Sequence, residues 1–152
     1  MKLKIRRAAE ADAFRLAELE AVIFSDGWSQ RDVLSAITEN GAMCYVGEAE
    51  GDIVCYLIGR KIPPEAEIYR VATAPMHRRR GYSRELIRFV LEAESDSACD
   101  VYLEVRESNV PARRLYGECG FSEISVRKNY YKNPTENGIN MHKGQDNENT
   151  CV

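Results

Sequence analysis

The chain has 152 residues, 44% of them apolar and 30% charged, and a formal net charge of −3. That length suits one domain with an ordinary buried core, and no apolar run approaches the ~20 residues that a membrane span needs. The acidic balance excludes a surface given over throughout to nucleic acid, and the opening MKLKIRRAAEAD lacks the apolar segment of an export signal, so a cytoplasmic setting is expected.

Leu3 to Ala8 has strand character. In EADAFRLAELEAVIF, Ala13, Leu16, Ala17, Glu20 and Ile23 recur at helical intervals with charges between them. Ser29, followed three residues on by Asp32, offers the N-cap of a short helix that runs through Glu39 and stops near Asn40 and Gly41. Glu50-Gly51, set between two runs rich in Tyr, Val, Ile and Cys, predicts a hairpin turn. After Pro63-Pro64, EAEIYRVAT (Glu65 to Thr73) predicts a strand, and Gly81 opens a helix with Leu86, Ile87, Val90 and Leu91 on its apolar face. DVYLEVRE alternates, Val101, Leu103 and Val105 on one face and Tyr102, Glu104 and Arg106 on the other. A last helix runs from about Asn109 to Cys119, closed by Gly120, and SEISVRK and GINMH predict two final strands joined by NYYKNPTEN.

These elements place the chain in the α/β (α+β) class, with a mixed central sheet of about six to seven strands flanked by about four helices. Residues 1–143 are expected to form a single domain, and the polar residues 144–152 a disordered tail. The five cysteines form no C-x-x-C pair and only His77 and His142 could join them, so no metal is expected. Cys44, Cys55, Cys99 and Cys119 read as reduced core thiols and Cys151 as part of the tail.

HRRRGYSREL, His77 to Leu86, follows a strand and leads into a helix. Between Arg78 and Arg88 lie five arginines and one glutamate, a local excess of four positive charges in an acidic protein. Helix starts carry unpaired N–H groups and partial positive charge, and a glycine there lets an anion approach the backbone. A solvated charge run, a nucleic-acid patch and a phosphate cradle all fit these residues, while neither G-x-x-x-x-G-K-[ST] nor G-x-G-x-x-G is present.

VATAPMHRRRGYSRELI resembles the acetyl-CoA loop of the GNAT N-acetyltransferases, with Arg78, Gly81 and Ser83 at the defined positions of its Gln/Arg-x-x-Gly-x-Gly/Ala pattern. EAEIYRVAT, LEVRESNVPARRLYGECGF and VRKNYY are similar, in the same order and spacing, to the ribosomal-protein-alanine N-acetyltransferases, the RimI type. FSDGWSQRDV also resembles an early segment of that group, with Gly27 where proline is usual. The resemblance covers about Leu3 to His142.

It implies a GNAT fold that binds acetyl-CoA as co-substrate. The backbone N–H groups from Arg79 through Arg80, Gly81, Tyr82 and Ser83 to Arg84 would hold the pyrophosphate, and the arginine side chains would mainly attract the outer phosphates. Val71, Ala72 and Thr73 would pair with the pantetheine arm like an added strand, and Asn109 would touch the coenzyme. Ser83 stands where Gly or Ala is usual, which would crowd the pyrophosphate, and Arg70 where the group usually has asparagine.

Acetyl transfer to an amine needs a base, a stabilised oxyanion and an acid for the leaving thiolate. Glu104, on the polar face of its strand, is a candidate base, and Tyr116, about two turns after Asn109, a candidate acid. By themselves these two read as a surface carboxylate and a core aromatic; the resemblance assigns them the catalytic roles. It also sets Arg127, Asn129, Tyr130 and Tyr131 at the peptide groove. A terminal α-amine (pKa ~7.7) is about 3.7 kcal/mol easier to neutralise at pH 7 than lysine (~10.4), which suits one glutamate and a water. The resemblance implies as acceptor the N-terminal α-amine of a protein, the alanine of protein eighteen of the small ribosomal subunit, with no nucleic-acid or membrane partner; the alternatives are the same fold acting on a lysine, a polyamine or a small metabolite, or a non-catalytic module that binds CoA or RNA.

Overall fold

The computed structural model describes residues 2–95 and 99–144; Cys151 and all of the expected tail but Gly144 lie outside them. Seven strands form one sheet: β1 (Lys4–Arg7), β2 (Ala42–Ala49), β3 (Asp52–Ile62), β4 (Glu65–Thr73), β5 (Asp100–Arg106), β6 (Ser122–Tyr131) and β7 (Glu136–Lys143). Their spatial order is β1-β2-β3-β4-β5-β7-β6, antiparallel except for the central β4–β5 pair. Four helices flank the sheet: α1 (Ala13–Ile23), α2 (Gln30–Thr38), α3 (Tyr82–Ala93) and α4 (Val110–Glu118).

Local chemistry places the boundaries. Ser29 Oγ accepts from the Asp32 N–H at 3.1 Å while Asp32 accepts from the Ser29 N–H at 3.3 Å, a reciprocal cap that starts α2. Glu50 (φ 56°) and Gly51 (φ 79°) turn the β2–β3 hairpin with both central residues left-handed, the geometry that matches strand twist. Asn109 Oδ1 caps α4 by accepting from the Ala112 N–H at 3.2 Å. The final hairpin differs from expectation: Asn129, Tyr130 and Tyr131 belong to β6, and only residues 132–135 turn. A bulge between Arg127 and Tyr131, with Asn129 at φ 56°, carries the strand through a segment that reads as loop.

Each sheet face buries its own core. Leu16 and Leu19 of α1 and Val33 of α2 pack on Cys44, Val46, Tyr56 and Ile58. Leu86, Ile87 and Val90 of α3 and Tyr116 of α4 pack on the other face, against Leu57, Ile68, Leu103 and Val105. Cys44, Cys55 and Cys119 are buried free thiols and Cys99 is half-buried. No helix among the described residues is long and apolar enough to cross a membrane.

Candidate active site

The parallel pair β4–β5 holds only from Glu65↔Asp100 to Ile68↔Leu103. Beyond that point β4 keeps its partner on the β3 side, through Val71↔Leu57, Ala72↔Tyr56 and Thr73↔Cys55, while among the described residues no strand pairs with its other edge. The parting coincides with a bulge: Gly59 opposes Ile68 and Ile58 opposes Arg70, so Tyr69 is an extra residue. Gly59 makes the close approach possible, since a Cβ there would lie 2.6 Å from Glu67 O. A cavity of about 1040 Å³ fills the split.

At one end of this cavity is the start of α3. Gly81, its N-cap, has φ 77°, a left-handed conformation that side chains disfavour, and a Cβ there meets no atom within 4 Å. The first intrahelical bond is donated by Glu85 N–H to Gly81 O (3.0 Å), and no side chain caps the N–H groups of Tyr82, Ser83 and Arg84 before it. His77 Nδ1, beside this loop, is buried without a hydrogen-bond partner. Ser83 Oγ lies 2.6 Å from Thr73 Oγ1, so the hydroxyl is held against β4, and Ser83 still lines the cavity. The arginine side chains divide their work. Arg78 Nε donates to Thr73 O (3.2 Å), Arg84 pairs with Glu118, and Arg80 is exposed and does not border the cavity.

Glu104 and Tyr116 reach the cavity from opposite faces of the sheet. Val101, Leu103 and Val105 turn toward α3 and α4, so Glu104 turns the other way, whereas Tyr116 sits in the α3/α4 core. The Glu104 side chain is 12% exposed; Oε1 forms an ion pair with Arg127 Nε at 2.8 Å, and Oε2 is buried with no hydrogen-bond partner. Burial pushes the Glu104 carboxyl above the usual range, with Arg127 opposing that shift and Glu67 adding to it. Burial likewise raises the Tyr116 phenol, with Tyr131 and Cys119 adding to it, so Tyr116 stays protonated in neutral solution.

Behind the cavity wall stands a buried cluster centred on Glu20, to which the sequence alone assigned no role beyond a place on the helical stripe of α1. Glu20 of α1, fully buried, accepts from Tyr56 OH (2.5 Å), the Trp28 N–H (2.9 Å) and Arg70 Nε (3.1 Å). Its signal was present: a carboxylate on the apolar stripe of an amphipathic helix needs buried partners. Tyr131 borders the cavity, and burial beside Tyr130 and Glu104 pushes its phenol up to about 12. Arg127 borders instead an adjoining groove of about 510 Å³ that shares Tyr69 and Glu104 with the first. Tyr130 stands edge-on to Tyr131 and packs over Gly138, while the Asn129 N–H donates to Asn137 Oδ1 (3.0 Å); neither Asn129 nor Tyr130 borders either cavity. Val71, Ala72, Thr73, Arg79, Tyr82 and Asn109 all line the main cavity. Among the described residues no group of three or more His, Cys, Asp or Glu could hold a metal ion.

By fold and by sequence the chain is an acetyltransferase that takes its acetyl group from acetyl-CoA. Residues 13–121 match the Acetyltransferase (GNAT) family, and the chain belongs to it. It is 35% identical over 133 residues to the N-alpha-acetyltransferase RimI of Mycobacterium tuberculosis, covering 80% of each chain. It is 29% identical over 144 residues to the [ribosomal protein bS18]-alanine N-acetyltransferase of Haemophilus ducreyi, covering 90% of this chain and 97% of that one. The crystal structure of the ribosomal-protein-S18-alanine N-acetyltransferase from Escherichia coli superposes with a TM-score of 0.88 at 24% identity, over 97% of this chain and 98% of that one.

Proposed function

We propose that the protein transfers acetyl from acetyl-CoA to the N-terminal α-amine of a protein, the alanine of ribosomal protein S18 being the acceptor that its relatives' names favour. The observation that carries the reading is the pair Glu104 and Tyr116, set on opposite faces of the sheet yet opening into one cavity through the β4–β5 split. An amine arriving from one face and a thioester from the other would meet where the strands part.

The residues fit the donor. The uncapped N–H groups of Tyr82, Ser83 and Arg84, with Gly81 before them, suit a pyrophosphate, and Arg79 adds positive charge. The strand-free edge of Val71, Ala72 and Thr73, where Thr73 O already accepts from Arg78 Nε, suits an extended amide-bearing arm, and one of its N–H groups the oxyanion. Asn109, at the start of α4, borders the same space.

In the proposed reaction Glu104 takes the proton of the incoming ammonium, directly or through a water. Glu104 passes that proton to solvent; the freed amine forms the new C–N bond, and as the C–S bond breaks the nitrogen gives up its second proton to Glu104 or a water, while Tyr116 gives its proton to the departing sulfur and is reprotonated from solvent. The Glu104 carboxyl, raised by burial, is a stronger base than an exposed one, and the Tyr116 phenol, kept neutral, retains the proton it must deliver. No covalent enzyme intermediate is required. Tyr131, with Tyr130 and Asn129 behind it, and Arg127 would border the acceptor; the setting is cytoplasmic, and residues 1–143 act as one catalytic domain.

The reading is tested with an Ala-starting peptide, its N-blocked form and free lysine. Acetylation of the free α-amine alone is expected, and Glu104→Gln and Tyr116→Phe should each lower turnover about 100-fold or more. Equal labelling of lysine, or full activity in both variants, would sink it. For the acceptor itself, the S18 alanine terminus from cells lacking this protein should be unacetylated by mass spectrometry.

A further inference from the structure

Two arginines, one on each side of the split, reach toward the same roof. Arg70 of β4, its side chain 11% exposed, donates through Nε to the buried Glu20 (3.1 Å) and through Nη2 to Asp26 O (3.0 Å). Its guanidinium lies 4.1 Å from the Phe24 ring centre. Arg106 of β5 donates through Nη1 to Pro134 O (3.0 Å) and through Nη2 to Lys132 O (2.8 Å), and lies 4.6 Å from the Tyr131 ring centre. Arg70 thus holds the α1–α2 loop and Arg106 the β6–β7 turn. The two loops meet where Ser25 Oγ donates to Asn133 O at 2.8 Å.

Resting on the α-amine reading above, we propose that Arg70 and Arg106 are positioning residues for the acceptor: they brace a bridge, closed at Ser25 and Asn133, over the cavity end away from α3. Both arginines line the cavity, and so do Phe24, Ser25, Asp26, Asn133 and Pro134, so the bridge is a wall of the site itself. A planar guanidinium serves two acceptors in fixed directions while stacking on an aromatic ring, which an ammonium cannot do. Glu20 is the anchor: with three donors it cannot let Arg70 go without leaving a buried charge short of a partner. Neither arginine touches the start of α3, so losing the bridge affects one substrate and spares the other.

Arg70→Lys and Arg106→Lys keep the charge but lose the fork, and Ser25→Ala removes only the bridging hydroxyl. Steady-state kinetics with an Ala-starting peptide and acetyl-CoA varied separately should give a peptide KM raised about tenfold in each arginine variant and about threefold in Ser25→Ala. The acetyl-CoA KM and kcat should stay within about twofold. Because both arginines brace one bridge, the double variant should cost less than the product of the two single effects. An unchanged peptide KM in folded variants, or an equal rise in the acetyl-CoA KM, overturns the proposal. If thermal melting finds Arg70→Lys unfolded, Ser25→Ala decides by itself. Failure of the α-amine reading looks different: wild type then leaves the peptide unacetylated, and the bridge is read by hydrogen exchange instead. Faster exchange at residues 132–135 in Arg106→Lys and at 24–29 in Ser25→Ala supports it, and unchanged exchange overturns it.

Discussion

The hydroxyls of Thr73 and Ser83 stand 2.6 Å apart and tie the last residue of β4 to the first turn of α3. This contact fixes the strand-free edge relative to the uncapped helix start, the two surfaces assigned to the donor. Ser83→Gly should therefore lose about 1 kcal/mol of stability, from one hydrogen bond and the backbone freedom of glycine. On the proposed reading the acetyl-CoA KM should change less than about threefold, because the hydroxyl is held by Thr73 and the backbone N–H groups are kept. Chemical denaturation and initial-rate kinetics measure the two effects.

Gly81→Ala separates conformation from space. A Cβ at Gly81 meets nothing within 4 Å, so any loss of stability comes from the left-handed φ of 77°, about 1 kcal/mol. Because the new methyl would project toward the cavity that Gly81 lines, the acetyl-CoA KM should rise by more than that stability change accounts for. A KM equal to wild type would remove Gly81 from the donor site.

On the proposed mechanism the acid side of the pH–rate profile belongs to Glu104. As the base it must be ionised, so kcat/KM should fall as pH drops through its raised pKa. Arg127 favours the charged form, so Arg127→Gln should raise the Glu104 pKa further and move the acid limb to higher pH. Tyr116 and Tyr131, both raised, should leave the alkaline limb unaffected below pH ~10. An acid limb that stays in place in Arg127→Gln would show that the ion pair does not tune the base.

Gly59→Ala tests the bulge. Its Cβ would lie 2.6 Å from Glu67 O, a backbone atom that cannot rotate away, so destabilisation of about 1–3 kcal/mol is expected. The variant should also lose activity beyond its loss of folded protein, because Tyr69 and Arg70 sit at the step in register.

Much of the fold was legible because its signals are local. The alternation in DVYLEVRE, the Ser29–Asp32 cap and the Glu50-Gly51 turn depend only on neighbouring residues, and the structure places each where that chemistry requires. The bulge was not legible, since Tyr69 is extra only relative to β3, and EAEIYRVAT alone reads as an even strand. Nor was the pairing of Glu20 with Arg70, which are 50 residues apart and meet only when α1 packs on the sheet. The reach of β6 was hidden by Asn129, whose positive φ is a loop signature used here inside a strand. Glu104 and Tyr116 were recognisable by motif, but their placement on opposite faces depends on how α4 returns beneath the sheet.

The ladder between β4 and β5 stops after four residue pairs, leaving the most central seam of the sheet unfinished. A seam of that kind can take up one more extended chain, and whatever completes it shares in holding the fold together. On the proposed reading the donor's arm completes it, so catalysis and stability draw on the same backbone groups. The protein should then melt higher with CoA bound, by about 2.7 kcal/mol at one hundred times its Kd. Pantetheine, which would span only the seam, should give part of that gain, whereas a nucleotide fragment resting on α3 alone should leave the seam uncompleted.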